Sequence, residues 1–150
     1  MLKGIDPLIT PELLKLLMEM GHDEAIALVD ANFTAMSVGA GKPVLRLPGA
    51  SMARVAAAVD ALLPLEADVD HPIAFMQVSG TAVPYLSAVQ REVLSVLQGS
   101  VLPHQSAESL ERYAFYERAR RAYAIVVTGE LQPFGNFILR KGVICENLRP

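Results

Sequence analysis

Apolar residues follow two alternating patterns along the chain: helical spacing and short continuous runs. The first helical pattern consists of Leu13, Leu14, Leu16, Leu17 and Met20. Spacings of three and four place these side chains on one face of a helix. Thr10 is a suitable N-cap and Pro11 fits the first turn. Gly21 can adopt the left-handed conformation that ends many helices, so we expect this helix to end there.

The first continuous apolar run, residues 25–29, is too short for a typical helix. Such a run is typical of a strand that is covered on both faces, as in a parallel sheet. Similar patterns predict strands at 44–47, 73–78, 123–128 and 137–139, and helices at 52–63, 87–97 and 109–122. The alternation predicts one α/β domain over residues 1–150, with a mixed, largely parallel sheet flanked by helices. A short turn joins the last two strands, which we therefore expect to be antiparallel.

Composition narrows the classes of protein to consider. Hydrophobic residues make up 52% of the 150 residues and the net charge is -3, so the chain can bury a core but lacks the positive field of a nucleic-acid-binding surface. Cys145 is the single cysteine, which favours a reducing compartment and a packed thiol. The chain shows neither the pattern of a secretory signal nor the apolar run of a membrane span. We expect a soluble, cytoplasmic protein.

His22 follows the predicted end of the first helix and has two interpretations. It can satisfy the last carbonyl groups of that helix and the negative end of its dipole. It can also act as a general acid and base, because an imidazole gives and takes a proton near neutral pH.

Asp30 follows the first buried strand, where ligands bind in open α/β sheets. It can bind a ligand hydroxyl, or it can close a turn by bonding its own backbone. A strand between His22 and Asp30 would separate them by roughly 17–25 Å. The two residues can therefore share a site only if neighbouring subunits each supply one of them, or if the path between them bends.

The remaining motifs give weaker indications of a functional site. The stretch "GAGKP" has Met36 and Pro43 where a phosphate-binding loop needs glycine and serine or threonine, so we interpret it as a surface loop. His71 and His104 lack metal-ligand spacing. Four arginines on one predicted helix, Arg112, Arg118, Arg120 and Arg121, are typical of a solvated or interface face, although an arginine can also bind sugar hydroxyls or phosphate. Asn136 suits a turn and could also bind a polyol.

Four stretches together resemble the RbsD/FucU family of sugar mutarotases and pyranases. They are "LKGIDPLITPELLKLLMEMGH", "DANF", "ERYAFYERARRAYAIVVTGE" and "FGNFILRKGV". They occur in family order and cover about half of the chain. The "FYERA" helix and the final stretch are more similar to the fucose branch than to the ribose branch.

The resemblance implies an enzyme that interconverts the anomers of a free monosaccharide, with L-fucose the first candidate. It implies no metal and no cofactor. It also implies a toroidal homo-oligomer, commonly a decamer, with active sites between neighbouring subunits. That arrangement agrees with the separation expected between His22 and Asp30.

By position, His22 resembles the family's catalytic histidine and Asp30 its substrate-binding aspartate. Arg112 resembles a residue that contacts the substrate. Phe134, Gly135 and Asn136 occupy the Tyr-Gly-Asn segment of the family. Phe134 departs from that pattern because it lacks the tyrosine hydroxyl, so we expect it to permit pyranose anomer exchange and to weaken pyranose–furanose exchange.

Two other classes of function stay open from the sequence. A non-catalytic sugar-binding or regulatory protein would keep the pocket without turnover, and the Phe134 departure favours it. A structural assembly protein would use the arginine-rich helix as an interface and bind no monosaccharide.

Overall fold

The computed structural model describes residues 1–145, which form a six-stranded sheet with helices on both faces. The strand order is β2-β5-β1-β6-β3-β4. The strands are β1 Ala25–Val29, β2 Val44–Leu47, β3 Ile73–Met76, β4 Ala107–Leu110, β5 Ala124–Thr128 and β6 Phe137–Arg140. Five of them run in one direction and β6 runs in the other. The predicted mixed, largely parallel sheet is confirmed.

The helices cover both faces of the sheet. They are α1 Pro11–Glu19, α2 Ala35–Val38, α3 Met52–Asp60, α4 Ala88–Leu97 and α5 Arg112–Arg121, and a 3₁₀ turn, Gln98–Ser100, follows α4. Helices α1, α3 and α4 pack on one face, where β1 contributes Ile26 and Leu28. Helices α2 and α5 pack on the other face, against Ala27 and Val29. The alternation of side chains along β1 therefore supplies both layers of the core.

Local sequence determines the beginnings of α1 and α4, and the predicted N-cap Thr10 is confirmed. The Thr10 hydroxyl accepts a hydrogen bond from Leu13 N at 3.2 Å. Ser87 and Gln90 form a reciprocal capping box at the start of α4. In each case, a side-chain oxygen satisfies a backbone N–H that has no partner within the helix.

The end of α1 differs from the prediction. Gly21 does not adopt the left-handed conformation, whereas Asp23 does, with φ of 72°. The carbonyl groups at the end of α1 are bonded instead by the ammonium group of Lys141, which donates to Leu17 O at 2.8 Å and to Met20 O. A residue more than a hundred positions away thus completes this helix.

Lys42 does the same for α5, which explains the lysine of the "GAGKP" stretch. Its ammonium group donates to Ala122 O at 2.6 Å, and to Ala119 O and Arg120 O. Burial lowers the Lys42 pKa. Lys42 therefore stabilises the end of a helix, which agrees with the interpretation that this stretch is not a phosphate-binding loop.

The helix predicted at 109–122 begins later than expected, at Arg112. Residues Ala107–Leu110 form β4, which pairs in parallel with β3 at the edge of the sheet. Glu111 caps α5 by accepting from Tyr113 N at 2.7 Å. Because β4 is an edge strand, it holds the polar residues Glu108 and Ser109, which masked the strand pattern.

The last two strands run antiparallel, as expected, but they are not neighbours, because β1 lies between β5 and β6.

The Cys145 thiol is exposed rather than packed, contrary to the prediction. Within the described residues, the helices are too short or too polar to cross a membrane.

Candidate functional site

Asp30 and Asn136 meet at one edge of the sheet because β6 runs opposite to β1. Leu28 pairs with Phe137, which places the residues just beyond the two strand ends side by side. Asn136 Nδ2 donates to Asp30 Oδ2 at 2.8 Å, and Asp30 N donates to Asn136 Oδ1 at 2.9 Å. Asp30 is 5% exposed and Asn136 2% exposed. The two residues form a buried, doubly bonded pair.

The environment of the Asp30 carboxyl group favours proton uptake. Burial raises its pKa, while hydrogen bonds from Asn136 and from Asn32 N, at 3.0 Å, act in the opposite direction. Each carboxylate oxygen accepts one of these bonds and keeps a further lone pair. Asp30 is therefore held in one orientation with capacity left for a ligand hydroxyl.

The turn before β6 brings Phe134 and Gly135 to the same edge. Phe134 adopts a left-handed conformation, with φ of 63°. Its carbonyl oxygen accepts a hydrogen bond from Gln90 Nε2 at 3.0 Å. A Cβ atom on Gly135 would lie 3.2 Å from Glu130 Cγ, so the turn is too tight for a side chain at that position without movement of its neighbours.

Arg112 begins α5 directly after β4, and the parallel direction of β4 places it at this same edge. Its Nη2 donates to Tyr113 Oη at 2.9 Å, and its Cζ lies 4.8 Å from the centre of the Tyr113 ring. Its Nε is buried and has no hydrogen-bond partner among the described residues. The Nε–H of this guanidinium group is therefore a donor that no described residue satisfies.

An aromatic cluster connects α5 to the segment after β1. The Phe33 ring lies 6.0 Å from the Phe115 ring and 5.5 Å from the Tyr116 ring, both in edge-to-face geometry. Tyr116 contacts Tyr113 in the same way at 6.0 Å. This cluster fixes the start of α5, and with it Arg112, relative to the loop that follows Asp30.

His22 lies at the opposite end of β1. Its side chain is 54% exposed, and Nε2 contacts Oε2 of Glu66, whose own side chain is 3% exposed. A hydrogen bond from Asp68 N lowers the Glu66 pKa, and His22 lowers it further. The role of completing α1, one of the two interpretations of His22, is filled by Lys141 instead.

The structure thus places five of the six predicted site residues on one edge of the sheet and His22 on the opposite edge. The strand between His22 and Asp30 has five extended residues, which span about 17 Å. The chain does turn at Asp23, but this turn precedes β1 and leaves His22 against Glu66 at the far end of the strand. The two residues therefore do not form one site within a single chain.

Two contributors were missed from sequence. Gln90 is fully buried and bonds both Met76 O and Phe134 O; its capping-box spacing after Ser87 is a signal for a helix start but not for contact with this turn. Glu66 carries no local signal, because the position of its segment depends on the bridge between Leu65 and Lys141. Over residues 1–145, no three His, Cys, Asp or Glu side chains are grouped to hold a metal ion.

Comparison with known proteins decides the family. The model of the RbsD / FucU transport protein family matches residues 3–144. The chain belongs to this family. The resemblance stated from the sequence motifs is confirmed.

Relatives within the RbsD/FucU family carry the name L-fucose mutarotase. One from Actinobacillus pleuropneumoniae serotype 5b (strain L20) is 42% identical over 150 residues, covering 95% of this chain and 97% of the relative. One from Haemophilus influenzae (strain 86-028NP) is 42% identical over 144 residues, with the same coverages. The crystal structure of the fucose mutarotase from Streptococcus pneumoniae in complex with L-fucose is 38% identical, with a TM-score of 0.85. That match covers 96% of this chain and 100% of the other.

Proposed function

We propose that this chain is an L-fucose mutarotase, an isomerase that interconverts the α and β anomers of the free sugar. The observation that carries the proposal is the buried Asp30–Asn136 pair, held at the edge of the sheet where Arg112 also begins α5. Relatives that share most of the chain are named L-fucose mutarotase, and one solved relative is a complex with L-fucose.

Mutarotation opens the hemiacetal ring and closes it on the other face of the aldehyde. The anomeric hydroxyl gives its proton to a water molecule, the ring oxygen gains a proton, and the bond between the anomeric carbon and the ring oxygen breaks. We assign to His22 the proton that reaches the ring oxygen and returns on closure. One positioned acid/base group accelerates such a step about 10²–10⁴-fold, which suits a reaction that water already supports unaided.

Asp30 would orient the sugar through a hydroxyl group or a bound water, since its carboxylate keeps accepting capacity. Arg112 would donate from its guanidinium group to another sugar oxygen. The side-chain oxygen and one N–H of Asn136 are already engaged by Asp30, so its main part in this proposal is to orient that carboxylate. The Phe134 ring can stack on a sugar face but offers no proton.

The active site would form between two copies of the chain, one supplying His22 and its neighbour supplying Asp30. The support is the separation of about 17 Å along β1, which exceeds the reach of a proton transfer within one chain. We propose a ring-shaped homo-oligomer, a decamer, as the assembly that repeats this interface.

Saturation-transfer NMR on L-fucose at anomeric equilibrium tests the function. Irradiating one anomer should reduce the signal of the other in the presence of the native protein and not with His22→Ala. His104→Ala is the matched control, since His104 is an exposed loop histidine, and it should behave as the native protein. Absence of transfer with the native protein would refute an L-fucose mutarotase, and a panel of other monosaccharides would reveal a different substrate.

A second candidate function, non-catalytic sugar binding, is favoured by one observation. Phe134 lacks the hydroxyl of the tyrosine that it replaces in the family pattern. If this is the function, calorimetry should show that L-fucose binds, while the NMR experiment should show no faster exchange between its anomers.

A further inference from the structure

The side chain of Gln90 is the most deeply buried polar side chain near the candidate site, and it bridges three segments. Gln90 is 0% exposed. Its Oε1 accepts from Ser87 N at 3.0 Å, and its Nε2 donates to Met76 O at 2.7 Å and to Phe134 O at 3.0 Å. Both hydrogens of the amide are used. The start of α4, the end of β3 and the turn before β6 are therefore fixed to one side chain.

The Phe134 contact holds a strained part of that turn. A non-glycine residue with positive φ is disfavoured sterically and persists where its surroundings fix it. Phe134 has that conformation, at φ of 63°. Val89, the neighbour of Gln90 in α4, also packs against the turn, with Cγ1 3.5 Å from where a Gly135 Cβ would lie. The start of α4 thus supports the turn through one hydrogen bond and one packing contact.

The Met76 contact fixes the other side of Asn136. Met76 N donates to Asn136 O at 3.1 Å, and Met76 Sδ lies 3.8 Å from Asn136 Nδ2. Gln90 therefore bonds the carbonyl groups of two residues that flank Asn136. Met76 lies next to Asn136 on the neighbouring strand, and Phe134 precedes it by two positions in the chain. The backbone position and the side-chain orientation of Asn136 both depend on segments that Gln90 joins.

We infer that Gln90 is a positioning residue for the sugar site: it acts through Phe134 and Asn136 to set the orientation of the Asp30 carboxylate. The expected effect of Gln90 on L-fucose exchange rests on the proposed function. Its effect on the position of Asn136 and Asp30 can be measured without any substrate. Gln90 itself needs no contact with the sugar, since its amide hydrogens are committed to protein carbonyl groups.

The decisive variants are Gln90→Met, Asn136→Ala and the double variant, each assayed for kcat and KM in L-fucose anomer exchange. Gln90→Met keeps the length of the side chain and removes all three hydrogen bonds. We expect a fall in kcat/KM on the order of 10- to 100-fold, the range that misplacement of a site group by about 1 Å produces. Because Gln90 acts through Asn136, the double variant should lose little more than Asn136→Ala alone.

Val93→Ala is the matched control for a general loss of stability. Val93 is fully buried one turn further along α4 and packs in the main core. It should lower the melting temperature while leaving kcat/KM unchanged for the folded protein. Equal effects of Val93→Ala and Gln90→Met on kcat/KM, or independent effects of Gln90→Met and Asn136→Ala, would overturn the inference.

A second readout needs no activity. Asp30 N donates to Asn136 Oδ1, so hydrogen exchange at the Asp30 amide should become faster in Gln90→Met but not in Val93→Ala. If Gln90→Met does not fold, Gln90→Glu replaces it, because it keeps the acceptor for Ser87 N and loses at least one donor. Faster exchange at Asp30 in a protein without L-fucose activity would refute the proposed function and keep the positioning role. Unchanged exchange would overturn the role.

Discussion

Complementation between two inactive variants should test whether neighbouring copies share the active site. His22→Ala removes the proposed acid/base group and Asp30→Ala removes the carboxylate at the other end of β1. Proton transfer needs heavy atoms about 3 Å apart, and β1 alone separates the two residues by about 17 Å. Each site must then take His22 from one copy and Asp30 from another, so each single variant should be inactive.

Co-expression of the two variants in equal amounts should restore part of the activity. When copies assemble at random in a symmetric ring, about one quarter of the interfaces join an intact His22 to an intact Asp30. The mixed assembly, purified through two different tags, should therefore recover about 25% of the native exchange rate per site, measured by saturation transfer on L-fucose.

The matched control co-expresses Asp30→Ala with Asn136→Ala. These residues lie on the same edge and contact each other within one chain, so no interface in that mixture has a complete pair and activity should stay low. A mixed assembly of His22→Ala and Asp30→Ala that shows no recovery would refute the shared site.

Three further predictions concern stability, pH and specificity. Lys42→Met should reduce the free energy of unfolding by about 1–3 kcal/mol, because it leaves carbonyl groups such as Ala122 O without a charged donor; urea denaturation measures this. Burial raises the Asp30 pKa, so the folded state binds a proton more readily than the unfolded state and the stability contributed by this group falls as pH rises from about 4. Asp30→Asn should therefore gain stability relative to the native protein between pH 4 and pH 7. Phe134→Tyr should speed pyranose–furanose exchange while leaving pyranose anomer exchange unchanged.

Each of these predictions has a clear contrary result. Lys3→Met, at an exposed position, is the control for Lys42→Met, and an equal effect of the two would remove the capping argument. A difference between Asp30→Asn and the native protein that does not change with pH would show that the carboxyl group titrates alike in both states. No gain in furanose exchange for Phe134→Tyr would mean that the missing hydroxyl does not limit that reaction.

Local signals predicted most of the fold. The strand at residues 25–29 was predicted with its observed bounds, because a continuous apolar run has few alternatives, and the N-cap Thr10 marked the start of α1. The errors concern structure that depends on distant residues. Strand β4 is an edge strand with polar positions, and the neighbours of β6 depend on how the whole sheet is ordered.

The residues of the candidate site could be predicted individually, but the contacts between them could not. Asp30 was recognisable from its place after a buried strand, and Asn136 from its turn and from the family resemblance. Nothing in the sequence indicated that these two side chains bond each other, since 106 positions separate them. The contact of His22 with Glu66 and the bridging role of Gln90 likewise depend on tertiary structure, so sequence patterns alone could not reveal them.

The order of the strands has a consequence for how quickly this chain can fold. The pairs formed in the sheet join distant segments: even the nearest, Ile73 with Ala107, closes a loop of 34 residues, and Ile26 pairs with Ala124 and Leu139. Such pairings cost loop entropy before any contact compensates for it, and topologies of this kind fold slowly. The apolar runs that form the centre of the sheet are therefore exposed for longer than those of a helical bundle, and a dilute, cool refolding step should protect them from association.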